Sequence, residues 1–463
     1  MGSLRRVPPS PEVMAQLWMR YKRRRSRKSF AEFLHDIGCV DPAEGNPGMD
    51  DGRRLVVHGD RMLEQPTQPM TGPLHIKVLL VDFVDRPAIY PSQRYKDLFF
   101  SDGDYPTGSL RDFYKEVSCG KMRITGSVHN EWLRMPQKYV YYTNGTSGME
   151  GRYPHNAKRM AEDAVNTAIK KGVTFEKKLS KFNDGVVTAL IIVHSGRGGE
   201  ELADEIAGDY IWSHKWELKD KIEVARDIYV VNYMTVPHDC KVGVCCHELG
   251  HLAFGWQDFY DPDYGENRND WAGTGRWDLM AGGSYNGSGT RPAHPASLHK
   301  VQHGWVRVRT VTTSRKIILH PHNAKKGAVV KLISPAYKSG QYLLLENRKR
   351  EGFDFSLPGA GLLVWKVDER GEMEDVKKAG LYLIQADGKK NLDDDWNEGD
   401  AGDPFPGTGK KTSLGDVGQV STSFGKKRSG ITIKNIKRSM STGVVTLDVE
   451  FAKVRTGKRR TVG

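Results

Sequence analysis

Residues 242–258 constrain this chain more than any other stretch. They read Val242-Gly243-Val244-Cys245-Cys246-His247-Glu248-Leu249-Gly250-His251-Leu252-Ala253-Phe254-Gly255-Trp256-Gln257-Asp258. His247 and His251 stand four positions apart, so on an α-helix both imidazoles project from one face and can share a metal ion. Glu248 adjoins the first histidine and can take a proton from water at that metal. Zn²⁺ held by neutral nitrogen ligands with one open position brings its water to a pKa of about 7. The bare pattern also arises by chance as a pair of surface histidines. Here Val242, Val244, Leu249, Leu252 and Phe254 make the segment largely apolar, as in a helix buried under a cleft. Two imidazoles and a carboxylate on such a helix need partners, and a metal supplies them.

Two histidines leave zinc short of a full site, so a third donor is required. In the extended metzincin pattern a glycine stands three residues past the second histidine and a ligand stands six past it. Those positions hold Phe254 and Gln257; glycine comes one place later as Gly255, and a carboxylate as Asp258. Glycine at a helix end can adopt positive φ and turn the chain back toward the metal. Asp258 is therefore the expected third ligand, with Asp261 and Glu266 as the other carboxylates in reach. Further on, Gly275-Arg276-Trp277-Asp278-Leu279-Met280-Ala281-Gly282-Gly283 reads as a tight turn carrying a methionine, and it resembles the metzincin turn in which a methionine packs as an apolar floor under the zinc. Some metzincins carry a tyrosine two residues past that methionine. Gly282 stands there, which leaves Tyr285 as the candidate for stabilising a tetrahedral intermediate.

At 463 residues the chain is long enough for two or three domains with full cores. No stretch approaches the roughly 20 apolar residues of a membrane-spanning helix. A formal net charge of +13 concentrates in the runs at 20–28 and 458–460, which read as solvated tails. Nucleic-acid binding is not expected, because no recognised reading module accompanies the charge. Arg5 and Arg6 could open a signal peptide, but Val7-Pro8-Pro9-Ser10-Pro11 follows where an apolar region belongs. Five cysteines (39, 119, 240, 245 and 246) show neither disulfide nor zinc-ribbon spacing, and Cys245 and Cys246 read as small packed residues.

The expected fold class is α+β. Residues 1–70 form a helical and then polar segment, with helices at 11–21 and 30–37, that could lie across the cleft as a pro-region; Cys39 is a candidate thiolate for the metal there. Residues 71–310 alternate strands (76–83, 122–128, 186–193, 228–234) with helices opening at Gly108-Ser109-Leu110 and Ala157, giving a mixed catalytic domain. From 311 to 450, short alternating stretches such as Lys316-Ile317-Ile318-Leu319 and Gly361-Leu362-Leu363-Val364-Trp365 predict a β-rich, sandwich-like domain packed on the catalytic one. Residues 451–463 form a basic tail.

Further stretches extend the pattern beyond the helix: Val81-Asp82-Phe83, Gly108 to Tyr114, Ile211-Trp212-Ser213-His214-Lys215, Asp258-Phe259-Tyr260-Asp261, Trp277 to Ser284, Leu344 to Arg348, Leu357-Pro358-Gly359, Gln385 to Gly388 and Gly399 to Gly407. With these in order across most of residues 76–435, the chain resembles the immune inhibitor A-like metallopeptidases, a metzincin-related family of zinc endopeptidases. The resemblance implies zinc on His247, His251 and Asp258, Glu248 as catalytic base, protein or peptide substrates and an extracellular location. It also implies calcium. Ser180-Lys181-Phe182-Asn183-Asp184-Gly185 reads as a calcium loop that has lost its carboxylates, whereas Asp393, Asp394, Asp395, Asp400 and Asp403 retain enough oxygens to hold Ca²⁺ or form a solvated acidic turn. The rival expectation is a catalytically inactive, zinc-bearing binding protein, which intact Glu248 disfavours.

Overall fold

The computed structural model describes residues 10–23, 33, 49–149, 152–202, 207–261, 271–322, 327–372, 376–418 and 420–452. Cys39, Glu266, the residues of the 30–37 helix other than Phe33, residues 24–28 of the basic run and the tail at 453–463 lie outside these. The architecture is mixed α and β. Among the described residues, no helix is long and apolar enough to cross a membrane.

A short hairpin, β1 (Arg54–His58) with β2 (Arg61–Gln65), precedes a five-stranded sheet. That sheet comprises β3 (Gly72–Asp82), β4 (Met122–Arg134), β5 (Leu190–His194), β6 (His214–Ala225) and β7 (Ile228–Pro237), in the order β4-β3-β5-β7-β6. All pairings are parallel except β6 on β7. The central strands read as continuous apolar runs, Val78 to Val81 and Leu190 to Val193, because both faces are covered. Edge strand β4 instead alternates buried and exposed positions along much of its length.

Helix α1 (Pro11–Arg23) buries Leu17. Helix α2 (Leu110–Val117) opens on the capping box its sequence predicts: Ser109 Oγ accepts the Asp112 N–H at 3.0 Å and Asp112 Oδ2 accepts the Ser109 N–H at 3.0 Å. Tyr114 on α2 donates to the Cys246 carbonyl at 2.7 Å, which ties α2 to the histidine-bearing helix. Helix α3 (Ala157–Lys170) is capped by Asn156, whose Oδ1 accepts the Arg159 N–H at 3.3 Å.

The second half contains β8 (Arg307–Val311), β9 (Arg315–Leu319), β10 (Ala328–Leu332), β11 (Gln341–Arg348), β12 (Gly361–Asp368), β13 (Leu381–Leu383), β14 (Ile431–Arg438) and β15 (Val445–Phe451). They form a sheet of order β13-β12-β11-β10-β8 and a smaller one of order β14-β15-β9. Period-two alternation splits the larger sheet between two cores. Leu343, Leu345, Leu362 and Val364 pack with Ile317, Ile433 and Leu447 of the smaller sheet. Tyr342, Leu344, Leu363, Trp365 and Val367 belong to the apolar cluster of the five-stranded sheet β4-β3-β5-β7-β6. The larger sheet is thus covered on both faces.

Two sequence expectations shift. The strand expected from residue 186 pairs continuously only from Leu190, with Val186 making a single bridge to Tyr229. A tight loop holds the residues between, where Thr188 Oγ1 accepts the Lys181 N–H at 2.9 Å. The β1–β2 hairpin lies where no periodicity was evident. A lone hairpin is marginal in water, and this one is held from outside: Val56 packs with Val186 and Val231, and Asn232 Nδ2 donates to the Leu55 carbonyl at 3.1 Å.

Candidate metal centre

Helix α4 (Val242–Phe254) follows β7, and every one of its residues is buried. Gly255 ends it in the left-handed region, φ 68° and ψ 30°, with its N–H donating to the Gly250 carbonyl. A Cβ at this position would also lie 2.3 Å from Thr67 Oγ1. The reversal returns Asp258 to the helix. Asp258 Oδ1 lies 3.2 Å from His247 Nε2 and 3.3 Å from His251 Nε2, and the two Nε2 atoms are 3.1 Å apart.

The other ring nitrogens decide what those Nε2 atoms offer. His247 Nδ1 bonds the Leu279 carbonyl at 2.9 Å and His251 Nδ1 bonds the Trp256 carbonyl at 2.7 Å. A carbonyl only accepts, so each Nδ1 carries its proton and each Nε2 presents a bare lone pair. Two such lone pairs and a carboxylate oxygen repel one another unless a cation lies between them. At zinc bond lengths of about 2.0–2.1 Å, tetrahedral ligand atoms stand about 3.3 Å apart, close to the separations here. The donor set fits a metal ion.

The electrostatics agree. Burial favours the neutral form of Asp258, but the adjoining imidazoles, His251 and then His247, outweigh it and bring the carboxyl to about 2, as positive charge in the space between them would. Glu248 has no such counter-charge. Burial, then the neighbouring Asp50 and Asp258, push it well above the usual carboxylate range. Both Glu248 oxygens are buried without a hydrogen-bond partner among the described residues. Orphaned polar atoms of this kind call for a ligand.

Met280 lies where the sequence suggested a floor: its Sδ would be 2.9 Å from a Cβ on Gly250, the residue just before His251. The same turn accepts the Phe259 N–H at the Met280 carbonyl (2.9 Å), which anchors the segment bearing Asp258. Asp261 is buried, and its N–H donates to the Trp271 carbonyl at 3.0 Å; it is not in the group that converges on the two histidines. Tyr285 is buried at the end of a turn, Gly282–Tyr285, set against the first turn of α4, where a Cβ on Gly243 would meet the Ser284 carbonyl at 2.0 Å.

Asp50 escaped the sequence reading. It is fully buried and groups with Glu248 and His251, one ligand atom from each lying within 4.8 Å of the others. Nothing in Met49-Asp50-Asp51-Gly52 marks that carboxylate for the cleft; the Asp-Gly pair signals only a turn. A second buried group, His294, His322 and Asp354, has ligand-like spacing. It is already neutralised, since Lys300 Nζ bonds His294 Nδ1 at 3.2 Å and Arg348 holds both Asp354 oxygens at 2.7 Å.

The residues considered for calcium are engaged otherwise. Asp393 accepts from Tyr382 and Gln385, Asp400 from Asn391, Asn397 and the Gly402 N–H, and Asp403 from Trp277. Asp184 pairs with Arg54 and Ser180. These arrangements lend calcium no support.

Comparison with known proteins places this geometry. Residues 83–311 match the family described as immune inhibitor A peptidase M6, catalytic domain. Immune inhibitor A of Bacillus thuringiensis subsp. alesti is 28% identical over 243 residues, 44% of this chain and 34% of that protein. The pre-pro-metalloprotease PrtV of Vibrio cholerae serotype O1 (strain M66-2) is 26% identical over 276 residues, 49% of this chain and 29% of that protein. The chain thus spans about a third of the length of the curated relatives it matches. The matched region contains α4, Asp258 and the Met280 turn, and it is this region of the chain that is similar to the catalytic domain of the immune inhibitor A peptidase M6 family.

Proposed function

We propose that the chain is a zinc-dependent endopeptidase acting on proteins or peptides, with His247, His251 and Asp258 as metal ligands. The observation that carries this reading is the convergence of three lone-pair donors beside an orphaned, buried Glu248. Zinc, when bound, supplies Lewis acidity toward a carbonyl and toward water. Glu248 takes the proton from the attacking water and delivers it to the leaving amine. The carbonyls of Leu279 and Trp256 keep both imidazoles in the tautomer that leaves Nε2 free. We assign Tyr285 to the tetrahedral intermediate. Tyr285→Phe should lower kcat about 10²-fold with KM little changed; an unchanged kcat would remove it from the reaction.

Metal content and hydrolysis of a quenched peptide test the whole reading. Both are to be measured on the intact chain and on chain cut within the exposed residues 66–69. One zinc per chain is expected in both forms, with any hydrolysis abolished by a chelator and restored by added Zn²⁺. Chain without stoichiometric metal, or hydrolysis that survives chelation, would refute it. The match covers one region only, and a separate β-rich domain over residues 311–450 belongs to the same proposal.

A further inference from the structure

The alternation that builds the second β core breaks at one position. On β12, Leu362 and Val364 pack into that core, and the residue two further on shares their face of the strand. That residue is Lys366, paired with Leu343 of β11 and Tyr382 of β13. It lines a cavity of about 750 Å³, within the roughly 300–1,000 Å³ of small-molecule sites. Lys366 Nζ has no hydrogen bond or ion pair among the described residues. Its neighbours are rings: Nζ lies 5.5 Å from the centroid of Tyr382 and 5.9 Å from that of Phe424. Phe424 stands edge-on to Tyr337 at 4.9 Å, and the Tyr337 hydroxyl donates to the Thr422 carbonyl at 2.6 Å, so this wall is held in place. Burial lowers the ammonium from 10.5 to about 8, which leaves it a cation at pH 7. A cation stripped of that much water is costly without an anion, and ring faces offset only part of the cost.

The rest of the wall selects among anions. Exposed Lys338, Lys390 and Lys427 stand there with Asp368, Asp393 and Asp394. Asp393 already accepts from Tyr382 at 3.1 Å and Gln385 at 2.8 Å, and Asp368 from Gln341 at 2.6 Å, so neither is spent on Lys366. Three carboxylates repel a compact, multiply charged anion such as phosphate, but they accept hydrogen bonds from hydroxyl groups. An acidic sugar supplies what each part of the wall lacks: hydroxyls for the aspartates and rim lysines, a C–H face for the rings, and one carboxylate for the buried ammonium. We propose that this cavity binds a saccharide whose units carry a carboxylate, a sialic or a uronic acid, with that carboxylate on Lys366 and the sugar ring against Tyr382 and Phe424. The second half of the chain then holds a glycan-binding site of its own, and the inference does not rest on the metal centre.

The test titrates the full-length chain in a calorimeter with sialyllactose and with trigalacturonate, and separately with lactose, inorganic phosphate and triglutamate. At least one acidic sugar should bind with a Kd of about 1 mM or tighter, and lactose at least about tenfold more weakly; which of the two binds identifies the source of the carboxylate. Lys366→Met keeps the length of the side chain and removes its charge. It should weaken that binding at least about tenfold, as loss of a charged hydrogen bond does. Phe424→Leu keeps apolar bulk but removes the ring, should also weaken binding, and keeps the proposal testable if the lysine variant misfolds. Absence of binding by both acidic sugars up to about 10 mM, or unchanged affinity in both variants, would overturn the site. Phosphate bound as tightly as the sugars would reduce it to a simple anion site, and tighter binding of triglutamate would reassign it to acidic peptides; either result overturns the saccharide.

Discussion

Glu248→Gln should lower kcat for peptide hydrolysis by about 10²–10⁴-fold, the range a positioned general base contributes, while the bound metal stays stoichiometric. The structure makes this substitution unusually clean. Glutamine has nearly the same shape, and neither Glu248 oxygen holds a hydrogen bond that the fold would miss. His247 and His251 are oriented by the Leu279 and Trp256 carbonyls, so their geometry does not depend on position 248. Both proteins should be compared in the same hydrolysis-competent form, with metal measured in parallel. A wild-type rate in the variant would remove Glu248 from the reaction. Loss of metal would show that the glutamate serves binding rather than proton transfer. The same experiment separates a peptidase from a zinc-bearing binding protein, whose partner affinity would not depend on this carboxylate.

The second large effect is on stability. Arg348 is wholly buried, yet its guanidinium meets an acceptor on every side. Nε and Nη2 fork onto Asp354 at 2.7 Å each, Nη1 reaches Glu346 at 3.3 Å and the Trp277 carbonyl at 3.2 Å, and Nη2 reaches the His294 carbonyl at 3.2 Å. The residue therefore clamps strand β11 to the turn that carries Met280. Arg348→Met fills similar volume but leaves two buried carboxylates uncompensated. Removing one partner of such a pair costs about 3–5 kcal/mol, to be read as a lower denaturant midpoint at unchanged m-value. Adding Asp354→Asn to the variant should recover part of the loss, because the orphaned charge goes too. A midpoint unchanged by Arg348→Met would mean that the network contributes nothing net.

The pH dependence of that clamp has a defined sign. Burial favours the neutral carboxyl of Asp354, but the charge of Arg348, then His294, and the bonds from Arg348 outweigh it and bring it from 3.8 to about 2. A carboxyl whose folded pKa lies below its unfolded one stabilises the fold fully above the unfolded value. The contribution fades as pH falls from about 4 to about 2. Arg348→Met should flatten this part of the acid limb.

Local chemistry in the sequence was sufficient for the parts of the site that lie on one element. The four-residue spacing of His247 and His251, the adjacent Glu248 and the apolar flanks specify a buried helix with two imidazoles on one face, and α4 is that helix. The Ser109–Asp112 capping box and the alternation in the strands after 311 were legible for the same reason: each is a rule between neighbours in the chain. Gly255 followed by Asp258 also pointed correctly to a reversal, since only the backbone freedom of glycine was needed to foresee it. By contrast, Asp50 reaches the cleft through bonds to Lys215, far along the chain, and the polar run around it has no period to betray its destination. The hairpin at 54–65 depends in the same way on Val186, Val231 and Asn232. The larger sheet of the second half is covered on both faces only because the core of the five-stranded sheet meets its other side. Sequence alone determined the helix that carries His247 and His251, because helical periodicity and capping are local. Tertiary structure decided what fills the space opposite that helix, because a buried carboxylate is placed by whichever distant donors satisfy it.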